Sequence, residues 1–275
     1  MIKSVAIQGV KGSFHHIVSQ NYFSKDTRIV ECLSFDSVVE SLINQETDAV
    51  IMAIENSIAG SIIPNYALID NENLHIVGEK YLDIQHNLMA LPNQSLNDIK
   101  EVYSHPMALL QCKEFFKKYP HIKLIEDKDT AEVAERIHKK QLKGVAAIAS
   151  KLASELFNLE ILASSIQTIK HNETRFVIVK LENHEIPEEE INKASIKFDV
   201  DHKRGSLATI LNVMSDCKLN LTKIQSLPKI ETPWKYAFFV DVTFKSYTDY
   251  KKAKSIMAIM AQDFKVLGEY KNAKL

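Results

Sequence analysis

Ser4-Val5-Ala6-Ile7-Gln8-Gly9-Val10-Lys11-Gly12-Ser13-Phe14 is the stretch that decides the fold. A run with the character of a buried strand meets a glycine turn, and a helix opens at Ser13. The theme continues outward: Arg28 to Leu33 reads as strand, Phe35 to Asn44 as helix, and Ala49 to Ile54 as strand ending in Glu55-Asn56-Ser57. Alternation of this kind predicts a mainly parallel α/β sheet.

A second set follows the same rule. Glu101 to Ser104, His121 to Glu126 and Gly144 to Ala149 read as strands, with helices over Pro106 to Lys118 and Thr130 to Lys140. Two α/β lobes are the economical reading, one over roughly 1–78 with a return strand at 174–181, the other over 79–173. Open α/β sheets bind ligands beyond the carboxyl ends of their strands, so two such ends facing each other form a cleft.

Residues 182–193 are acidic, contain Pro187 and lack apolar periodicity, which marks a linker. Beyond it, over 194–275, the order strand, helix, strand, strand, helix, strand is expected, a ferredoxin-like βαββαβ unit.

Composition narrows the function. The chain has 275 residues, 45% hydrophobic and 25% charged, with a formal net charge of -1. No field of one sign exists to steer it onto nucleic acid or an anionic membrane. The three cysteines, Cys32, Cys112 and Cys217, are odd in number and sit inside amphipathic patterns, as buried small hydrophobes do. The N-terminus lacks an apolar signal core and no window is long enough to span a bilayer, so a cytoplasmic protein is expected. Metal-ligand spacings and phosphate loops are absent from the sequence, which leaves a reaction needing neither metal nor cofactor, or binding alone.

Several polar groups stand directly before strands or helices. In His171-Asn172-Glu173-Thr174-Arg175-Phe176, Arg175 offers a fork suited to a carboxylate, although a surface salt bridge or a turn cap is the commoner reason for such a residue. Glu55-Asn56-Ser57 precedes Gly60, and either Asn56 or Ser57 reads as a ligand contact or a helix cap. Ser104-His105-Pro106 opens a helix with Ser104 as the expected cap, and Gln111 falls one turn later on the same face. Thr130 either caps its helix or meets an anion at the helix's positive end. His86 alternates with apolar neighbours and reads as a hinge or core histidine.

Taken together, Ile54-Glu55-Asn56-Ser57 with Gly60, Ser104-His105-Pro106 with Gln111-Cys112, Asp129-Thr130-Ala131 and Asn172-x-Thr174-Arg175-Phe176 resemble the prephenate dehydratase family in type and order. The chain departs from the usual pattern at Ala53 and Met107. The resemblance implies a periplasmic-binding-protein-like, two-lobed catalytic region over 1–181 and a C-terminal ACT domain, and the chain looks like the monofunctional form.

The resemblance also implies a reaction, prephenate to phenylpyruvate, water and carbon dioxide. Thr174 is then expected to hydrogen-bond the departing hydroxyl, with Glu55 or His105 as proton reservoir and Arg175 on the pyruvyl carboxylate. Asn56, Ser57, Ser104, Gln111 and Thr130 would line the cleft, and Phe176 would exclude water. The effector implied is L-phenylalanine, held by Gly205, Ser206, Leu207, Asn220, Leu221, Gln225, Ser226 and Pro228. Gln225 and Leu227 stand where the family commonly has Glu and Arg, which removes two charges from that motif. A homodimer or homotetramer paired through the ACT domains is implied as well. Arogenate dehydratase, or an amino-acid sensor without catalysis, are the alternative readings.

Overall fold

The computed structural model describes residues 2–183, 186–201, 203–229, 232 and 235–274. The first lobe's elements are β1 (Ser4–Gln8), α1 (Phe14–Tyr22), β2 (Arg28–Cys32), α2 (Phe35–Ile43), β3 (Ala49–Asn56), β4 (Gly60–Ser61), α3 (Ile63–Asn71) and β5 (His75–Asp83). There follow β6 (Asn87–Ala90), β7 (Glu101–Ser104), α4 (Pro106–Phe116), β8 (Lys123–Glu126), α5 (Thr130–Lys140), β9 (Val145–Ala149), α6 (Lys151–Leu156), β10 (Glu160–Ala163) and β11 (Glu173–Lys180). The final elements are β12 (Lys193–Asp199), α7 (Ser206–Asp216), β13 (Asn220–Pro228), β14 (Tyr236–Thr243), α8 (Tyr247–Met260) and β15 (Gln262–Tyr270).

Three sheets result. The first runs β2-β1-β3-β11-β5 with β4 on β3, the second β10-β6-β9-β7-β8, and the third β13-β14-β12-β15. In the first, β1 pairs in parallel with both β2 and β3, as the repeated strand-helix pattern predicts. In the second, β7 lies parallel to β8 and β9, while β6 is antiparallel to β9 and β10. All three pairings of the last sheet are antiparallel. The chain divides into two compact units, 1–60 with 81–176, and 61–80 with 177–275.

Local chemistry explains the helices of the first unit. Ser13 caps α1 by accepting from His16 N, and Ser34 caps α2 by accepting from Ser37 N. Asp129 caps α5 through Ala131 N and Glu132 N, and the last turn of α5 carries His138, Lys139 and Lys140, the sign that the helix dipole favours there. The second sheet is packed on both faces. Leu88, Val102, Ala146 and Ile148 meet α4 residues such as Leu109 and Cys112 on one side, and Met89, Ala147 and Ala149 meet Ala131, Ala134 and Ile137 of α5 on the other.

In the second unit, period-2 alternation along β12 sorts two kinds of contact. Ala194, Ile196 and Phe198 join Ile210 and Met214 of α7 and Tyr250, Ala253 and Met257 of α8 in one core. On the opposite face Lys193, Ser195, Lys197 and Asp199 are also buried. Residues 61–80 supply their cover: Lys193 Nζ meets Glu79 at 2.8 Å, Lys265 Nζ meets Asp70 at 3.0 Å, and the Tyr66 ring stands edge-on to Phe239. Gly268 of β15 lies so close to β5 that a Cβ there would come within 2.1 Å of the Ile76 carbonyl oxygen.

The expected linker differs in detail. His184 and Glu185 lie outside the described residues, Glu188–Glu190 form a 3-10 turn, and β12 already begins at Lys193. The strand expected from His121 starts later, because Ile122 N is taken by the Tyr119 carbonyl in a turn.

Candidate active site

The carboxyl end of β3 turns sharply. Asn56 Oδ1 accepts from the backbone N–H of Ile58 at 3.0 Å and of Ala59 at 2.8 Å, closing an Asx-type turn. No helix starts here, so the capping role considered for Asn56 and Ser57 does not apply; the next helix begins at Ile63. Two donors on the oxygen fix which end of the amide is which. Asn56 Nδ2 must therefore donate, and it does so to Asn172 Oδ1 at 2.7 Å and to Thr174 Oγ1 at 2.9 Å. Alongside, Ser57 N donates to the Glu173 carbonyl at 2.8 Å and Glu173 N donates to Ser57 Oγ at 2.9 Å, which fastens the start of β11 to the end of β3.

The network continues into the second sheet. Asn172 Nδ2 donates to Gln111 Oε1 at 2.9 Å, and the same oxygen lies 2.9 Å from His86 Nε2. His86 and Asn172 sit where the chain passes between the two sheets. There Ile84 N donates to the Asn172 carbonyl, Ile166 N to the His86 carbonyl, and His86 N to Gln167 Oε1. Burial holds the His86 imidazole below its ordinary pKa, against the opposing effect of its bond to Gln111; the nearby His105 lowers it further.

The β1–α1 loop lies against the start of α5. A Cβ on Gly9, whose φ is +93°, would approach Asp129 Oδ2 to 2.9 Å, so only glycine lets the loop lie against that carboxyl. Burial raises the Asp129 pKa, and the backbone N–H groups it caps, together with His105, pull it back. Ser150 Oγ donates to the Gly12 carbonyl at 2.5 Å, joining the same loop to the start of α6.

The site residues expected from the sequence divide accordingly. Asn56, Gln111 and Thr174 are brought together in one hydrogen-bonded chain, with Ser57 at its edge. Ser104 is not the cap of α4: His105 is, through Nδ1 to Met107 N. The Ser104 hydroxyl is fully buried and donates to the Ile148 carbonyl at 2.7 Å, so it ties β7 to β9 rather than lining the cleft. Thr130 begins α5, but Asp129 does the capping. Phe176 is 1% exposed, with its ring edge-on to His15 at 5.0 Å, so it belongs to the core beneath the site. Arg175 is 4% exposed and, by the pleat, leaves β11 on the face opposite Thr174. Glu55 is half-buried at the end of β3.

Sequence reasoning passed over two members. Asn172 was visible only as part of a motif and His86 only as a buried position, since neither the partner of His86 nor its donor direction has any sequence signature.

In the second unit, Gly205 caps α7 with φ +86° and no side-chain bond, and Ser206 and Leu207 open that helix. Asn220, Leu221, Gln225, Ser226 and Pro228 lie along β13, one of the two edge strands of its sheet, where Gln225 Nε2 donates to the Ser226 carbonyl. Leu227, in place of the usual arginine, is buried.

A two-sheet α/β domain with an amide-and-hydroxyl site at its strand ends, followed in sequence by a ferredoxin-like unit, is the class of protein this describes. The family description "Prephenate dehydratase" matches residues 5–184, and the chain belongs to that family. It is 33% identical over 244 residues to the bifunctional chorismate mutase/prephenate dehydratase of Buchnera aphidicola subsp. Schizaphis graminum (strain Sg), a match covering 88% of this chain. The chain spans 63% of that protein's own length. Its fold is similar to that of the prephenate dehydratase from Staphylococcus aureus subsp. aureus Mu50, with a TM-score of 0.83 and 25% identity over 98% of this chain and 100% of the other. The prephenate dehydratase of Arthrobacter aurescens in complex with L-Phe shares the fold at a TM-score of 0.86, with 23% identity over 98% of this chain and 90% of that one. No helix among the described residues is long and apolar enough to cross a membrane.

Proposed function

We propose that the chain is a prephenate dehydratase, removing water and carbon dioxide from prephenate to leave phenylpyruvate, without a cofactor, in the cytoplasm. The observation that carries this reading is the Asn56 to Thr174 bond. Thr174 Oγ1 accepts from Asn56 and donates no hydrogen bond to another of the described residues, so its own proton is not used in holding the site together. It is available to the hydroxyl that must leave the ring.

Aromatisation drives the reaction, and departure of hydroxide is the obstacle. A donor at that oxygen acts more strongly in the transition state than in the ground state, which is the condition for raising kcat. A threonine hydroxyl is too weak an acid to surrender its proton unaided at neutral pH, so it donates a hydrogen bond or relays a proton drawn from Glu55 or His105. Arg175, which leaves β11 on the face away from Thr174, is assigned the positive charge for the pyruvyl carboxylate at the far end of the substrate from the departing hydroxyl; that carboxylate keeps its charge throughout, so the contact serves orientation. Gln111, Ser57 and Thr130 orient the ring, while Ser104 and Phe176 support the walls from behind.

Incubating the purified protein with prephenate and following phenylpyruvate absorbance in alkali tests the assignment. Unchanged prephenate would leave a ligand-binding protein instead. Arogenate, with an ammonium in place of the keto group, is the comparison substrate, and faster turnover of it would make the chain an arogenate dehydratase.

The βαββαβ unit is assigned as an ACT domain that binds L-phenylalanine and pairs with a second copy. The edge strand β13 supports the pairing and the start of α7 the ligand site. With Gln225 and Leu227 in the motif, feedback inhibition should need higher phenylalanine than a charged motif would; activity unmoved by a phenylalanine titration would reduce the domain's role to assembly.

A further inference from the structure

We propose that His86 is a positioning residue for this reaction: its Nε2–H, through Gln111 and Asn172, locks the amides that leave the Thr174 proton and the Gln111 amino group for the substrate. The inference rests on the reading of Thr174 given above.

The argument is one of donor and acceptor direction. Ile58 N and Ala59 N make Asn56 Oδ1 an acceptor, so Asn56 Nδ2 donates and Asn172 Oδ1 accepts. Asn172 Nδ2 then donates, and Gln111 Oε1 accepts. The atom of His86 that faces this same oxygen, Nε2, must carry hydrogen. Each direction follows from the one before it.

The other ring nitrogen supports the assignment. His86 Nδ1 is buried and has no hydrogen-bond partner among the described residues. A neutral ring with its proton on Nε2 leaves only an acceptor lone pair unmet there, whereas the opposite tautomer would bury an unmet N–H and set two lone pairs against each other at Gln111. The Phe14 ring stands edge-on to the imidazole at 5.7 Å, and burial keeps the imidazole neutral.

What His86 adds is a second donor on Gln111 Oε1. With Asn172 alone, the Gln111 amide pivots about one bond; with both, its plane is set and its amino group is left with two hydrogens for a ligand. The same brace holds Asn172, and through it the Asn56 amide at Thr174. Catalytic geometry loosened by about 1 Å costs on the order of 10²-fold in rate.

The test uses the purified full chain and prephenate. His86→Phe keeps a ring of similar size and removes the donor; it should lower kcat about tenfold to 10²-fold with KM changed little. His86→Gln returns an amide donor near the Nε2 position and should recover kcat to within a few-fold of the parent. In a Thr174→Val background His86→Phe should cost at most about twofold more in kcat, because the transition-state donor whose placement sets kcat is already gone and the Gln111 amino group only orients the ring. Nitrogen NMR of the selectively labelled histidine should show a protonated Nε2 and a bare Nδ1.

Parental kcat in His86→Phe, equal losses in His86→Phe and His86→Gln, full multiplicative loss in the Thr174→Val background, or the opposite tautomer would each overturn the proposal. Parental turnover by Thr174→Val alone would remove the reading of Thr174 and this inference together. An impaired Thr174→Val beside an unaffected His86→Phe would remove this inference only.

Discussion

Asn56 and Thr174, 118 positions apart in sequence, share a 2.9 Å hydrogen bond in which the amide gives and the hydroxyl receives. Reversing that direction should disable the site without unfolding it. Asn56→Asp still accepts from Ile58 and Ala59, but turns a second acceptor toward Thr174 and draws the threonine proton onto itself. We expect kcat to fall about 10²–10³-fold, the scale for losing one transition-state donor, and Thr174→Val to fall by a similar factor. Thr174→Ser should keep most of the turnover. Phenylpyruvate formation reads all three, and near-parental rates in Asn56→Asp would rule the arrangement out.

Arg175 can be separated from the chemistry by keeping its charge and removing its shape. Arg175→Lys retains a cation and loses the planar fork. Orientation of a carboxylate that is equally charged in ground and transition states is uniform binding, so KM for prephenate should rise about tenfold while kcat holds. A fall in kcat at constant KM would move Arg175 to the charge that develops during reaction.

His15 makes stability depend on pH. Burial beneath the site lowers its pKa from 6.5 to about 4, and its Nε2 has no hydrogen-bond partner among the described residues. A depressed folded-state value means that the contribution is whole above pH 6.5 and is lost as pH falls toward 4, because the unfolded chain takes up the proton first. The difference is worth about 3 kcal/mol at the bottom of that window. His86 is shifted in the same direction and adds to the slope. Urea unfolding of His15→Leu between pH 7 and 4.5 should be flatter than that of the parent; an unchanged profile would mean that His15 is solvated.

Lys193 and Glu79 form an ion pair with side chains 3% and 0% exposed. Lys193→Met strands the Glu79 carboxylate in the interior without that ammonium, and should cost about 3–5 kcal/mol. Adding Glu79→Gln removes the buried charge and should restore much of the loss. A shift in the urea midpoint of Lys193→Met equivalent to under about 1 kcal/mol would show that water reaches the pair.

Elements with a strong period were legible from the sequence. Thr130–Lys140 and Glu101–Ser104 match residue for residue, because a capped amphipathic helix and a strand between polar boundaries carry their limits in composition. α3 was not foreseen: its buried residues, Asn65, Tyr66 and Ile69, do not form an apolar stripe, since one of the three is polar. The βαββαβ order was visible, whereas the second polar-faced layer on β12 was not, because buried Lys193 and Lys197 look like solvent-facing positions until residues 61–80 cover them. Around the candidate site, that Asn56, Gln111 and Thr174 lie near one another is legible in the motifs, whereas their hydrogen bonds are not. The burial of Ser104 and Phe176 is not legible, because sequence order gives a side chain's neighbourhood but not whether the backbone claims its hydroxyl or the core its ring.

The turn at Ile58 and Ala59 has a consequence for how this part of the chain can change over generations. Peptide N–H groups cannot be mutated into acceptors, so they impose one sense on the side chains from Asn56 outward. A single swap at Asn172 or Gln111 that exchanges giver for taker sets like against like at a neighbour, and repair needs a second substitution far away in sequence. A variant library that samples these positions one at a time should therefore find almost no tolerated step, and tolerated changes should come as linked sets.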